Sequence, residues 1–430
     1  MRCERPSANF SVPRNSPIYI RLFRWPALVL SLVLTLRGSA RADFLEKTQD
    51  ALSLSDSDHR FHLQLSGLFD LETYFIDQPP PALILTDKDF LLNPRLTLFL
   101  DAQFGSKIYV FAQARVDRGF DPSDDGAQLR LDEYFVRYSP ATSVNFQIGQ
   151  FATVVGNWVS RHDSWQNPFI NAPLPYENLT GIWDSEAPED AEDLFLWAHI
   201  PKYDDGDYSD KSLRLPIIWG PNYASGLAGS GSVGRFDYAV EMKNAALASR
   251  PESWNITQKG FGQPTFNTRV GFRPNEMWNL GFSASAGPYL LPVASSTLPP
   301  GRGVGDYREL VLAQDLSFAW HHFQLWAECY EARFEVPGIG NADTLSYYLE
   351  AKYKITPQLF AALRWNQQLF GTIRDEGELQ KWGNDIWRID AALGYRFTNY
   401  LQGKLQYSLS QQSSAQEGEH LFAAQLTVKY

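Results

Sequence analysis

Apolar and polar residues alternate in long runs near the end of the chain. Between 345 and 355 the odd positions are apolar and the even positions are mostly polar or charged. The same period of two continues over 359–366, 387–397, 401–409 and 422–430. This alternation predicts β-strands with one apolar face and one polar face. The connections between the runs are alternately short and long, which indicates consecutive antiparallel hairpins.

The length of these runs distinguishes a membrane barrel from a soluble sandwich. Strands of soluble sheets have about 5 to 6 residues, whereas these runs reach about 11. A strand tilted by roughly 45° needs about 9 to 11 residues to cross a bilayer, and a closed barrel is the only sheet that satisfies its backbone in lipid. An apolar face tipped with aromatic residues suits lipid, and the opposite charged face suits a wet interior. The pattern therefore predicts a transmembrane β-barrel.

Eleven earlier segments show the same alternation and bring the predicted strand number to sixteen. The sixth of them is the weakest, because Pro216, Gly220 and Pro221 interrupt it. An even number with both ends on one side is what a closed bacterial barrel requires. The fold class is therefore all-β, a 16-stranded antiparallel transmembrane β-barrel with short periplasmic turns and long extracellular loops. The eleven segments are 61–72, 95–103, 108–116, 128–138, 144–151, 215–227, 235–243, 265–273, 279–288, 309–319 and 323–334.

The first 42 residues have the pattern of a cleaved signal peptide. Arg21 and Arg24 precede an apolar core at 27–36, and the sequence Ala-Arg-Ala at 40–42 is a typical cleavage site. The apolar core is too short to cross a membrane as a helix. We therefore expect export, a short periplasmic segment at 43–59, and the barrel at 60–430.

Charge and hydropathy exclude two classes of protein. Residues 1–42 hold seven of the 38 basic and one of the 49 acidic residues, so the remainder carries 31 basic and 48 acidic residues and a formal charge of −17. This charge argues against a surface that binds nucleic acid. The mean hydropathy of −0.31 argues against a helical membrane protein, whereas barrels expose half of their strand residues to water.

A long irregular segment separates the fifth and sixth predicted strands. Residues 153–213 contain twelve acidic and three basic residues and are rich in Pro, Asn and Trp. Structureless loops of this length are uncommon in compact domains and are usually functional. We expect this loop to fold into the lumen and to form the constriction there.

Several of these strands resemble a known family. The stretches LDEYFVRY at 131–138, FQIGQF at 146–151, YLEAKY at 348–353, LGYR at 393–396 and AQLTVKY at 424–430 are similar to strands of the phosphate-selective porins O and P of Gram-negative bacteria. The resemblance implies a trimeric sixteen-stranded channel with an infolded third loop. The last strand also resembles the signal that the outer-membrane assembly machinery recognises, which the resemblance assigns to Phe422, Leu426, Val428 and Tyr430.

The resemblance supports the phosphate specificity less well than the fold. Anion selectivity in that family depends on basic residues along the pore, but here acidic residues share the polar registers with the basic ones. We therefore expect weak cation preference or little selectivity, with a phosphate- or anion-selective porin as the alternative. The candidate pore-lining and constriction residues are Arg115, Asp117, Arg130, Asp132, Trp158, Arg161, Trp165, Glu350, Lys352, Arg364, Arg388 and Asp390.

No motif indicates an enzyme, a metal site or a cofactor. His162-Asp163-Ser164 has the residue types of a catalytic triad, but sequence neighbours cannot bring the three roles together. The acidic run at 204–210 lacks the spacing of a calcium loop. A passive channel of the bacterial outer membrane is the main prediction, and a plugged binding or structural barrel is the second alternative. Its expected partners are outer-membrane lipid and lipopolysaccharide, the β-barrel assembly machinery, two further copies of the chain, and small ions or solutes.

Overall fold

The computed structural model describes most of the chain after residue 50. The described residues are 51–56, 60–78, 80–199, 211, 213–375, 377–415 and 417–430. The predicted signal peptide at 1–42 and most of the predicted periplasmic segment at 43–59 lie outside these residues. Within the described part of the chain, no helix is long and apolar enough to cross a membrane.

Sixteen long strands form one closed antiparallel barrel, which confirms the predicted fold class. Each strand pairs with the next one along the chain, and the last strand pairs with the first, with Val428 opposite Phe69. The strands are β1 Phe61–Ile76, β2 Phe90–Phe104, β3 Ile108–Asp117, β4 Gln128–Ala141, β5 Val144–Gln150, β6 Ser225–Val233, β7 Phe236–Lys243, β8 Thr265–Phe272, β9 Trp278–Pro288, β10 Arg308–Trp320, β11 Phe323–Val336, β12 Gly340–Lys354, β13 Leu359–Phe370, β14 Ile386–Arg396, β15 Leu401–Gln412 and β16 Glu419–Lys429.

The two faces of each strand follow the sequence alternation. On β12, Ser346 and Glu350 are buried inside the barrel, whereas Leu349 and Tyr353 are 48% and 53% exposed on its outer surface. Trp320 pairs with Phe323, which pairs in turn with Tyr353, so aromatic residues collect beside the short turn between β10 and β11. Apolar exposed residues flanked by aromatic ones are typical of a barrel surface in contact with lipid.

The connections differ in length at the two ends of the barrel. Short turns join the strands at one end, which we call the turn end, and Gly105 and Gly234 adopt positive φ of 58° and 60° in two of them. Longer connections lie at the opposite loop end, with 151–224 the longest. A three-residue strand, Ser53–Ser55, also pairs with β1.

The structure corrects the predicted bounds of two regions. The sixth strand begins at Ser225 rather than at Leu215. Residues 215–224 instead lie inside the barrel, where Leu215, Ile217 and Ile218 are completely buried. A small hairpin of Thr372–Asp375 and Glu378–Lys381 also occupies the polar stretch between β13 and β14, where no strand was predicted.

Connections at the loop end pack into an apolar cluster that covers part of the interior. Its buried members include Trp219, Trp254 and Trp382 from three different connections. Among the described residues of these connections are three short α-helices, α1 Leu174–Glu177, α2 Ala191–His199 and α3 Ile256–Lys259.

Candidate functional site

The candidate site is built around residues 153–178, which we call the lumen loop. This segment contains a single helical turn at Trp158–Arg161 and the helix α1. The Glu328 carboxylate on β11 accepts hydrogen bonds from the backbone N–H groups of Asn157 and of Trp158, the latter at 2.7 Å. These N–H groups begin the turn and have no partner within it, so a carboxylate is well suited to hold them.

Strand β15 holds the next part of the lumen loop through a buried lysine. The Lys404 ammonium donates hydrogen bonds to the carbonyl oxygens of Ser164, Asn167 and Phe169 at 2.8, 3.0 and 3.1 Å. An ammonium has three donors, so these carbonyls satisfy all of them. The neighbouring Gln406 accepts the N–H of Ile170 at 2.6 Å. Lys404 therefore fixes the backbone of the loop rather than contacting a solute.

Two arginines on β13 and β14 hold the end of the lumen loop. Arg364 donates to Oδ1 of Asn171 at 2.5 Å and to Asp390 at 2.8 Å. Arg388 donates to the carbonyl of Ala172 at 2.5 Å and contacts the carboxylates of Glu177 and Asp390. Arg364 is completely buried, and the carboxylate of Asp390 neutralises its charge inside this network.

Arg161 reaches the same wall from the loop. Its guanidinium donates to Glu350 at 2.5 Å and to the hydroxyl of Tyr348 at 3.2 Å. It also lies over the ring of Trp326 at 4.4 Å. Strands β11 to β15, which we call the anchoring wall, therefore bind the lumen loop along its length.

The opposite wall, formed by β1 to β4, carries a second set of paired charges. Arg95 lies 3.4 Å from Asp70 and also contacts Glu72. Arg115 lies 3.4 Å from Asp132. We call these four strands the open wall, because most of the wall residues that line the cavity described next lie on them.

A cavity of about 320 Å³ lies between the lumen loop and the open wall. Arg95, Gln113 and Arg115 line it from the open wall, and Trp158 and Asp163 line it from the loop. The cavity also reaches the connections at the loop end, including 81–84 and 120–122. A volume of this size is sufficient for a small organic solute.

Burial changes the protonation of two groups in the connections that line the cavity. Desolvation raises the pKa of Asp121 to about 7. Desolvation also lowers the pKa of His162 below its ordinary value, and its ring nitrogens lie 2.6 Å from the Val159 carbonyl and 2.7 Å from the Tyr223 hydroxyl. Asp121 therefore titrates near neutral pH, whereas His162 is uncharged there.

The candidate residues from the sequence fall into three groups. Arg115, Trp158 and Arg388 line the cavity. Arg161, Glu350, Arg364 and Asp390 form the network between loop and anchoring wall. The remaining contacts are local: Asp117 and Asp132 accept from Arg130 at 2.6 and 3.2 Å, Lys352 lies 4.3 Å from the ring of Phe360, and Trp165 lies 5.3 Å from Arg396.

The candidate assembly residues lie at the seam between β16 and β1. Phe422 is 50% exposed on the outer face, and Leu426 and Val428 share its register. Tyr430 pairs with Gly67 through two backbone hydrogen bonds of 3.0 and 3.1 Å. Its ring lies over Gly67, where any added Cβ would come within 2.4 Å of it.

The candidate set omitted Arg95, Glu328 and Lys404. All three lie at inward positions of the strand alternation, which the sequence shows. Their contacts join residues more than a hundred positions apart, as between Lys404 and Ser164, or depend on strand pairing, as between Arg95 and Glu72. The register of the barrel was needed to identify these partners.

No protein-family model matches the chain, and no curated protein matches it. Solved structures do match. OmpF of Salmonella typhi, in complex with daunomycin, superposes with a TM-score of 0.55 at 12% identity over 88% of this chain and 100% of that chain. The chain has the porin fold. The anion-selective porin from Comamonas acidovorans gives a TM-score of 0.53 at 9% identity, covering 86% of this chain and 100% of the porin.

A third structure with the porin fold is the outer membrane channel DcaP of Acinetobacter baumannii. It matches with a TM-score of 0.52 and 11% identity over 88% of this chain and 99% of the channel. The TM-scores establish a shared porin fold, and identities of 9–12% say nothing about which solute this chain carries.

Proposed function

We propose that this protein is a porin of the bacterial outer membrane through which small polar solutes diffuse passively. The observation that carries the proposal is the cavity between the lumen loop and the open wall. Water can enter a barrel of sixteen strands, and the lumen loop is attached to the anchoring wall, so the cavity lies along the open wall. The loop end would face the cell exterior, and the turn end would face the periplasm. The segment 1–42 would serve as the export signal.

The charges along the cavity favour weak selectivity over phosphate specificity. Arg95, Arg115 and Arg388 are the arginines that line the cavity, and each contacts a carboxylate within 4 Å. A phosphate site needs guanidinium or ammonium groups whose donors are available to the anion. We therefore propose a general porin rather than a member of the phosphate-selective O and P family, and we propose no catalytic activity.

We further propose the assembly partners that this kind of protein needs. The exposed apolar outer face fits membrane lipid, with lipopolysaccharide around the loop end. The last strand, with Phe422, Leu426, Val428 and Tyr430, would be recognised by the β-barrel assembly machinery. A homotrimer is the proposed oligomeric state, which the mass of the detergent-solubilised complex tests directly.

Channel recording with a cysteine in the cavity tests the proposed function. Ala172 lines the cavity, so Ala172→Cys should allow a charged, membrane-impermeant methanethiosulfonate reagent to reduce single-channel conductance. The background variant is Cys329→Ser, because Cys329 is the free thiol of the described residues. Ala391→Cys on the outer face is the matched control and should show no current change. A barrel without conductance steps would support a plugged binding or structural protein instead.

A further inference from the structure

Three carboxylates line the cavity without an ion-pair partner. They are Asp121, Glu133 and Asp163, and the described part of the chain places no Lys, Arg or His nitrogen within 4 Å of their oxygens. Their hydrogen bonds include backbone donors, such as the N–H of Ala152 for Glu133 at 3.2 Å and the N–H of Gln166 for Asp163 at 2.9 Å. The arginines of the cavity are all paired, so its unbalanced charge is negative.

These carboxylates are spread along the cavity. Asp121 belongs to the connection between β3 and β4 at the loop end, and Glu133 lies on β4. Asp163 lies on the lumen loop two residues before Trp165, whose ring is 5.3 Å from Arg396 at the turn end of β14. A solute that enters from the loop end and moves toward the turn end therefore meets a negative group at successive positions.

Unpartnered polar groups point independently to a bound solute. Trp158 Nε1, Ser164 Oγ and Gln425 Oε1 are buried atoms without a hydrogen-bond partner. Their residues are 5%, 8% and 4% exposed and line the same cavity. Buried polar groups normally have partners, and leaving one unpaired costs about 1–3 kcal/mol. A solute in the cavity can supply a partner to the Ser164 hydroxyl or the Gln425 amide when that group rotates toward it.

Aromatic rings complete the environment. Phe120, Trp158 and Phe169 line the cavity. Two of these rings already lie beneath guanidinium groups, with Arg130 at 4.8 Å from Phe120 and Arg364 at 4.2 Å from Phe169. Ring faces attract ammonium groups and also pack against apolar groups. Carboxylates, hydrogen-bonding groups and rings together suit a solute that is both cationic and partly apolar.

We propose that the cavity binds small organic ammonium compounds with an apolar or aromatic group as they pass through the barrel. This proposal rests on the proposed channel function and adds a solute class to it. Carboxylates spaced along the path hold the ammonium, and the rings contact the apolar part. The carboxylates repel organic anions of the same size. The arginines that could bind such anions are already neutralised.

Three probes that share one ring separate charge from ring packing. Benzylammonium, benzyl alcohol and benzoate carry positive, zero and negative charge at pH 8, where Asp121 is mostly ionised. Equilibrium binding to the full-length barrel in detergent is measured by isothermal titration calorimetry. Block of the potassium current by each probe is measured in planar bilayers. Benzylammonium should bind and block at lower concentration than benzyl alcohol, and benzoate should do neither.

Asparagine variants test the individual carboxylates. Asp121→Asn and Asp163→Asn remove the charge, and Asp163→Asn keeps an oxygen that accepts the N–H groups of Trp165 and Gln166. Each should weaken benzylammonium binding about tenfold, as expected for the loss of one charged hydrogen bond. Asp125→Asn is the matched control, because Asp125 is exposed in the same connection as Asp121 and does not line the cavity. It should leave binding unchanged.

The two measurements separate the solute class from the channel function. Equal binding of benzoate and benzylammonium, or loss of binding in the control as large as in the two cavity variants, would overturn the solute class. Binding of benzylammonium by a barrel that conducts no ions would retain the solute class and overturn the channel. Conductance without preference among the probes would retain the channel function and overturn the solute class.

Discussion

At the scale of single residues, charged wall residues hold the lumen loop in place. A buried ammonium is costly unless its donors are satisfied, and the three donors of Lys404 all meet loop carbonyls. Arg364 and Arg388 likewise combine carboxylates with loop carbonyl oxygens. Inward-facing charge in this barrel therefore determines the conformation of the loop as well as the field in the lumen.

Replacing Lys404 tests this role. Lys404→Met leaves three carbonyls without their donor and should lower the free energy of unfolding by at least about 2 kcal/mol. It should also increase the noise of the open-channel current, because residues 164–169 lose their attachment. Urea unfolding and single-channel recording provide the two measurements. Lys352→Met is the control, since Lys352 contacts the ring of Phe360 on the wall. Similar noise in both variants would contradict the proposed attachment.

Asp121 should make ion selectivity depend on pH. Its pKa is raised by burial to about 7, so the group is mostly neutral one unit below that value and mostly negative one unit above it. Cation preference should therefore increase as the pH rises through 7. The reversal potential under a potassium chloride gradient measures this change. Burial lowers the pKa of His162, so this group adds little charge above pH 7. Asp121→Asn should reduce the pH dependence, and a variant that retains it in full would assign the effect to another group.

The alternation of the sequence was sufficient to predict which side chains point inward, but their partners depend on the three-dimensional pairing. Arg364 and Glu350 were placed inward from their registers, and both are inward. Their hydrogen bonds with Asn171 and Arg161 depend on how a connection of irregular sequence folds back on the barrel. Periodicity contains no information about such a connection.

At the scale of elements, strand ends were harder to predict than strand existence. Leu215, Ile217 and Ile218 are as apolar as strand residues, but they are buried on the inside beneath the loop-end connections. Pro216 and Pro221 prevent a regular ladder there. The hairpin Thr372–Asp375 with Glu378–Lys381 was missed because its two strands have only four residues each and are mostly polar.

The seam between β16 and β1 depends on a glycine. A side chain at Gly67 would overlap the ring of Tyr430, since an added Cβ lies 2.4 Å from it and 2.9 Å from the carbonyl oxygen of Thr97. Gly67→Ala should destabilise the barrel by about 1–3 kcal/mol, as expected for overpacking. Heat-modifiable electrophoretic mobility reports the folded fraction. Gly126→Ala is the control, because no atom lies within 4 Å of a Cβ added there. Equal folded fractions of the Gly67→Ala and Gly126→Ala variants would show that the seam adjusts to the methyl group.

At the scale of the whole molecule, the outer face should behave as a surface solvated by lipid. Leu349 lies midway along β12 and is 48% exposed. Leu349→Arg should cost about 2–4 kcal/mol, which is typical of a charge at the bilayer midplane. Reversible unfolding in lipid vesicles measures the difference. Leu379→Arg is the control, because Leu379 is 64% exposed on the small hairpin outside the barrel ladder. An equal cost at both positions would place Leu349 outside the hydrocarbon region.

The attachment of the lumen loop also constrains the order of folding. Ser164 and Phe169 lie 240 and 235 positions before Lys404 in the chain. Contacts of such sequence separation form slowly, because the intervening chain must first be ordered. Until β13 to β15 are in place, the loop carbonyl oxygens have no wall side chains from which to accept hydrogen bonds. A barrel whose loop has not yet docked would therefore be wide and unrestricted, and the permeability of the finished molecule would be set only when the loop attaches.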